Sequence, residues 1–149
     1  MVAVMLLLVA ANKAAAQDPV RFCREKGTDD TLRPIPQSLV SAAKQLFGLS
    51  NMPEQQIRRS TVFRCADGRV LLCNYGANLP CGKADADRHP RGVAAWCRQN
   101  PHADFVPNYA RPWGSIYDWR CVGGVAEIAS QAEEIDPRGF VARYWKPLN

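Results

Sequence analysis

The chain has 149 residues, with 19 Lys and Arg against 14 Asp and Glu and 47% hydrophobic residues. This size fits one compact domain and excludes a multidomain enzyme. The charged fraction of 22% is ordinary for a globular protein, so wholesale disorder, coiled coil and collagen-like repeats are excluded as well.

The N-terminus has the pattern of a secretory signal. An apolar run over residues 2–11 is followed by Lys13 and then by three alanines before Gln17, which is an A-x-A type cleavage site. We predict a signal peptide at residues 1–16 and a single disulfide-stabilised domain at residues 17–149. The run is shorter than the roughly 20 apolar residues that span a bilayer, so stable membrane insertion is not expected. A buried N-terminal helix over residues 2–11 is the alternative.

The first predicted element of the domain is an amphipathic helix that packs on a sheet. It opens at residues 36–38 and ends before Gly48, a typical residue for the position after a helix. Its apolar residues recur at helical spacing: Leu39, Val40, Ala43, Leu46 and Phe47.

Residues 60–74 predict a β-hairpin. Two strand-like runs flank Asp67-Gly68, a dipeptide that accepts the positive φ angles of a type I′ turn. A two-residue loop sets the register, with the facing pairs Cys65–Val70, Phe63–Leu72 and Val62–Cys73. Cys65 and Cys73 then lie on opposite faces of the hairpin and cannot bond to each other.

A second short helix is predicted over residues 91–99. It would carry Trp96 and Cys97 and stop at Asn100-Pro101, because Pro restricts the residue before it.

Residues 115–129 predict a second hairpin around Gly123-Gly124. The same register gives this hairpin one face that we expect to lie in the core. The residues on that face are Tyr117, Trp119, Cys121, Ala126 and Ile128. Arg120 falls opposite Glu127 on the other face, where a cross-strand ion pair would align the strands.

The C-terminal region predicts a third helix, with Asp136 as its N-cap and Pro137 at its first position. This helix would place on one side Phe140, Val141, Tyr144 and Trp145. A strand over residues 139–145 is the alternative.

These elements together predict an α+β fold. We expect a small antiparallel sheet or a partly open barrel of hairpins, with two or three short helices and disulfide bonds. The six cysteines are Cys23, Cys65, Cys73, Cys81, Cys97 and Cys121. An even number in an exported domain indicates three disulfides, although 15 pairings are open. The sequence contains no C-x-x-C pair of the kind that binds zinc. Complete pairing of the cysteines would leave no free thiolate for catalysis.

Residues with catalytic chemistry are few. The two histidines, His89 and His102, belong to no paired ligand motif, and the most site-like cluster adds Asp85 and Asp87 to His89. A metal there competes with a solvated loop, since Pro90 occupies the place where an EF-hand loop needs Gly. We predict no catalytic residue, metal or cofactor. A small hydrolase of envelope polymer that uses these four residues is the alternative.

The candidate binding residues are Tyr109, Arg111 and Trp113, which with Pro112 would form an exposed stacking surface for a sugar or peptide. The alternative is that Trp113 caps the core. Basic residues are dispersed along the chain, so nucleic acid is not an expected partner. The positive charge suits an anionic glycan or an acidic protein surface in the envelope.

Residues 63–68, 76–81 and 116–121 resemble segments of small exported proteobacterial proteins of unassigned function. The strand pattern of the second hairpin is also similar to that of the membrane-bound inhibitors of C-type lysozyme, which are small periplasmic antiparallel barrels. The similar positions are Tyr117, Trp119, Gly123, Ala126 and Ile128, whereas Val122 stands where those inhibitors carry Lys.

The sequence therefore predicts a periplasmic or secreted binding protein that is not an enzyme. Its partner would be an envelope protein, which it would bind in the manner of an inhibitor, or an anionic glycan. A structural envelope protein without a partner is a further alternative.

Overall fold

The computed structural model describes residues 18–76 and 80–148, so the predicted signal peptide at residues 1–16 lies outside the described residues. The helices are α1 (Pro19–Lys26), α2 (Val40–Phe47), α3 (Glu54–Ser60) and α4 (Arg91–Gln99). The strands are β1 (Asp29–Pro34), β2 (Thr61–Ala66), β3 (Arg69–Asn74), β4 (Tyr117–Val122), β5 (Val125–Gln131) and β6 (Lys146–Pro147). Short 3-10 helices cover Gln37–Leu39, Asn108–Ala110 and Ala142–Tyr144.

The strands form two antiparallel sheets that do not close into a barrel. The larger sheet has the strand order β1-β2-β3-β6, and the smaller sheet consists of β4 and β5. This arrangement confirms the α+β class, with four α-helices in the described residues instead of two or three. Within the same residues, no helix combines the length and apolar character that a membrane crossing requires.

Both predicted hairpins are confirmed, and the first has the predicted register throughout. In the second, the predicted register holds from Val122–Val125 to Trp119–Ile128, and an irregularity then shifts it by one residue, so that Asp118 faces Ser130. Asp67 and Gly68 have φ angles of 50° and 75°, and Gly123 and Gly124 have 57° and 82°, as a type I′ turn requires. The facing pairs in the first hairpin are Val62–Cys73, Phe63–Leu72, Cys65–Val70 and Ala66–Arg69. In the second hairpin Arg120 lies opposite Glu127, and their side chains form an ion pair of 3.0 Å.

The predicted helices α2 and α4 are also confirmed. Gly48 follows α2 in the left-handed conformation, and its N–H bonds to the carbonyl oxygen of Lys44. Helix α4 ends at Gln99, directly before Asn100-Pro101. The spacing of apolar residues and the residues that stop a helix were therefore sufficient for these two elements.

Three hydrophobic clusters hold the described residues together, and each contains one disulfide. Cys23–Cys65 joins α1 to β2 beneath the helices that cover one face of the larger sheet. Cys73–Cys81 lies in a smaller cluster on the opposite face. The third bond joins α4 to β4 beside the second sheet, between Cys97 and Cys121. The prediction of three disulfides is confirmed, and Cys65 and Cys73 do not pair.

The predicted C-terminal helix is wrong, and so is the alternative of a strand over residues 139–145. Asp136 caps a tight turn instead, because its carboxylate accepts hydrogen bonds from the backbone N–H of Arg138 and Phe140 at 2.9 and 3.0 Å. Gly139 reverses the chain with a φ of 85°. Phe140 and Val141 then enter different clusters, whereas a helix would have placed them on the same side.

A buried arginine fixes this turn to the larger sheet. Arg64 on β2 is 1% exposed, and its guanidinium forms an ion pair with Asp136. The same guanidinium lies 4.1 Å from the ring centre of Phe140 and 4.8 Å from that of Trp145. Its Nε and Nη1 find no hydrogen-bond partner in the part of the chain that is described. The cation–π contacts with the two rings therefore offset part of the cost of burying the charge.

Candidate functional site

The most exposed aromatic rings lie on one nine-residue segment between α4 and β4. Tyr109 is 84% exposed, Phe105 69% and Trp113 67%. The rings of Tyr109 and Trp113 are exposed as expected, whereas the side chain of Arg111 is 21% exposed; that these residues bind a partner stays a prediction. The alternative, that Trp113 caps the core, is wrong.

This segment is held firmly although its rings face solvent. Val106 is buried, and its N–H donates to the carbonyl oxygen of Trp119 on β4 at 2.9 Å. A 3-10 turn starts after Pro107. The carbonyl oxygen of Ala110, at the end of this turn, packs closely on Gly92 of α4: a β-carbon at Gly92 would lie 3.0 Å from that oxygen. The rings thus project from a backbone that is anchored on two sides, which lowers the entropy lost when a ligand binds.

Beside this segment lies a cleft of about 440 Å³. This volume is in the range of roughly 300–1,000 Å³ that is usual for small-molecule sites. Its aromatic lining residues are Tyr109, Trp113 and Tyr144. Its charged lining residues are Arg111, Asp118 and Glu133, and the remaining walls come mainly from Pro80, Pro112, Ala132 and Val141.

One polar cluster of the cleft is centred on Arg111. Its Nη1 donates to the Asp118 carboxylate at 2.7 Å and to the carbonyl oxygen of Tyr117 at 3.2 Å, and its Nη2 bonds to the side chain of Asn108. Ser130 donates to the other oxygen of Asp118 at 3.0 Å. Since a carboxylate has about four lone-pair sites, Asp118 keeps acceptor capacity for a ligand.

A second polar cluster joins Glu133, Arg143 and Tyr144. Arg143 Nε donates to one oxygen of Glu133 at 2.6 Å, and the Tyr144 hydroxyl donates to the other at 2.9 Å. The hydrogen bond from Arg143 lowers the pKa of Glu133 below its ordinary value. Partial burial, together with the bond to Glu133, raises the pKa of Tyr144. Glu133 is therefore ionised and Tyr144 protonated across the neutral pH range.

The candidate residues of the alternative hydrolase form no comparable site. The Asp85 carboxylate accepts from the N–H of Asp87 at 2.9 Å, and the Asp87 carboxylate accepts from the N–H of His89 at 2.8 Å. These are successive turn-forming bonds in an exposed loop. His102 is exposed in the turn after α4. Over residues 18–76 and 80–148, no cluster of three or more His, Cys, Asp or Glu side chains could hold a metal ion.

The sequence alone did not place Asp118, Glu133 or Tyr144 at this site. Nothing in the sequence distinguishes Asp118 and Glu133 from ordinary surface charges, and Tyr144 is expected on a helix. The contacts among Glu133, Arg143 and Tyr144 depend on the turn after Asp136, which brings the two parts of the chain together. No local pattern could have revealed them.

No protein-family model, curated protein or solved structure matches this chain. The site must accordingly be interpreted from its own residues.

Proposed function

We propose that the protein is a non-catalytic binding protein that acts outside the cytoplasm and holds a glycan in the cleft of Tyr109, Trp113 and Tyr144. The observation that carries this proposal is the combination of exposed rings on an anchored segment with a concave cleft whose polar groups are already oriented. Exposed large rings beside a pocket are unusual in a soluble domain unless they meet a partner.

A glycan suits this cleft because a sugar ring has two kinds of surface. Its C–H face packs on an aromatic ring such as Trp113, and its hydroxyls are hydrogen-bond donors and acceptors. Asp118 and Glu133 can accept from hydroxyls, and Arg111 can donate to them. These charged groups are held by neighbours before a ligand arrives, so binding requires little reorganisation.

Binding without hydrolysis is favoured by the state of Glu133. A carboxylic acid that donates a proton to a leaving group at neutral pH needs a raised pKa, whereas Arg143 lowers the pKa of Glu133. Asp118 is engaged by both Arg111 and Ser130. The two carboxylates are therefore suited to a constant role as hydrogen-bond acceptors.

A location outside the cytoplasm agrees with the disulfides. Three bonds join all six cysteines, and disulfides persist mainly in oxidising compartments such as the periplasm or the exterior. The predicted signal peptide at residues 1–16 is the second support for this location.

The test is co-sedimentation of the oxidised protein with insoluble chitin, cellulose and peptidoglycan. We expect retention on at least one of them, and Trp113→Ala should weaken it roughly tenfold or more, as loss of a central aromatic contact does. Tyr75→Ala is the matched control, because Tyr75 is an exposed ring, 43% accessible, that lies outside the cleft lining. This control should bind like the wild type.

Three results would overturn the proposal. The first is that none of these polymers retains the protein, and the second is that Trp113→Ala binds as well as the wild type. The third is inhibition of a C-type lysozyme at nanomolar concentration without polymer binding, which would replace the glycan with a protein partner. Because Trp113 is exposed, the variant should keep the wild-type melting temperature, so that lost binding cannot be attributed to unfolding.

A further inference from the structure

We infer that the cleft is one half of a longer groove, which binds the interior of a linear, uncharged polysaccharide chain. This inference rests on the proposed function, which concerns the first cleft alone. The added content is the length of the ligand, its lack of charge and a role for Phe105.

A second depression, of about 590 Å³, adjoins the first one. The two share three residues, Asn108, Arg111 and Asp118, so the ion pair of Arg111 with Asp118 lies where they adjoin. The second depression continues along the segment to Phe105 and Pro107, and across to Ala129 and Ser130 on β5. A ligand that fills the first cleft can therefore extend past this ion pair into the second depression.

Each half of this groove has its own exposed aromatic ring. Phe105 lines the second half and is 69% exposed, which nearly equals the 67% of Trp113 in the first. Buried Val106 anchors the backbone directly after Phe105 through its bond to Trp119. Two rigidly spaced rings with hydrogen-bonding groups between them match a chain of repeating sugar units, in which apolar faces and hydroxyls recur.

The charges of the groove favour an uncharged chain. Among the residues that the structure describes, every charged side chain that lines either half is already paired: Arg111 with Asp118, and Glu133 with Arg143. Basic side chains that form no ion pair within the described residues do not line either half, and they include Arg24, Arg58, Arg59 and Arg69. An anionic ligand would find no unpaired cation in this groove, and its carboxylates would lie beside Asp118 and Glu133.

A protein partner is less well matched. Protein interfaces are depleted in Asp and Glu, whereas Asp118 lines both halves of this groove and Glu133 lines the first.

The experiment measures affinity against chain length by calorimetry, with chitooligosaccharides and cello-oligosaccharides from the disaccharide to the hexasaccharide. We expect the affinity of the wild type to rise by about tenfold or more over this series, since the longer chains reach a second ring. Phe105→Ala should abolish the rise but leave the disaccharide affinity unchanged. Trp113→Ala should weaken every length, and Tyr75→Ala should change none.

The outcomes separate this inference from the proposed function. Equal affinity for all lengths, or an equal effect of Phe105→Ala on short and long chains, would overturn the long groove. Tighter binding of oligogalacturonates, with affinity that falls as salt is added, would overturn the uncharged ligand. If Trp113→Ala changes no affinity in either series, the cleft is not the site and the proposed function itself fails.

Discussion

Replacement of the buried Arg64 with methionine tests how the cleft is held in place. Arg64 forms an ion pair with Asp136 and lies against the rings of Phe140 and Trp145, 4.1 and 4.8 Å from their centres. The turn that it fixes leads to Val141 and Tyr144, which line the cleft. Methionine keeps the apolar stem of the side chain and removes the charge.

The structure gives the size of the effect. Removal of one partner of a buried ion pair costs about 3–5 kcal/mol, mainly because the other charge is left unpaired. Asp136 is partly exposed and can be hydrated, so we expect the lower end, about 3 kcal/mol, for Arg64→Met. At about 2–4 °C per kcal/mol for a domain somewhat above this size, the melting temperature should fall by roughly 10 °C.

A second variant isolates the charge. Asp136→Asn keeps an oxygen that can accept from the N–H groups of Arg138 and Phe140, but alone it leaves Arg64 buried without a counter-charge. The double variant carries neither charge and should be about 1–2 kcal/mol more stable than the sum of the single effects implies. Urea unfolding of the four oxidised proteins measures these values. A loss under about 1 kcal/mol for Arg64→Met, or strictly additive effects, would refute the reasoning.

Three further predictions concern other parts of the molecule. Replacement of Cys97 and Cys121 by alanine should lower the free energy of unfolding by about 3 kcal/mol in urea, since their bond closes a loop with a sequence separation of 24; unchanged stability would show that the bond does not form. Glu133→Gln should melt below the wild type by a constant margin above about pH 4.5, because Arg143 lowers the pKa of Glu133 and its contribution is lost only as pH falls through that lowered value; a margin that shrinks between pH 8 and 6 would contradict this. Asp67→Val should lower the free energy of unfolding by about 1–2 kcal/mol, because Asp67 has a φ of 50° that β-branched residues disfavour, while Asp67→Asn should be neutral in the same urea assay.

The hairpins and helix α4 could be predicted because their signals are local. A turn dipeptide fixes the register of two neighbouring strands, and Asn100-Pro101 marks where α4 stops. Helix α1 also carried local signals, since the Asp18 carboxylate accepts from the N–H of Val20 and Pro19 is the first residue of the helix. The helix has only eight residues, which is too short for a pattern of apolar residues at helical spacing to be recognised.

The C-terminal turn could not be predicted because its cause is distant in sequence. Asp136 has the sequence signature of a helix N-cap, and the structure uses the same carboxylate to cap a turn and to bind Arg64, 72 residues earlier. The consequence extends to the candidate site. Tyr109, Arg111 and Trp113 are neighbours in the sequence and could be proposed together, whereas Glu133 and Tyr144 join them only after this turn forms.

The indole resonances of the tryptophans give the most direct measurement of the central claim that the cleft binds a glycan. Trp113 is exposed at the cleft, whereas Trp145 is buried and lines neither half of the groove, so one protein contains both the probe and its control. In a nitrogen-15 NMR titration with chitohexaose and then with cellohexaose, we expect a saturable shift of the Trp113 indole and an unchanged Trp145 indole. No shift of Trp113 with either sugar at millimolar concentration, or equal shifts of both indoles, would contradict it.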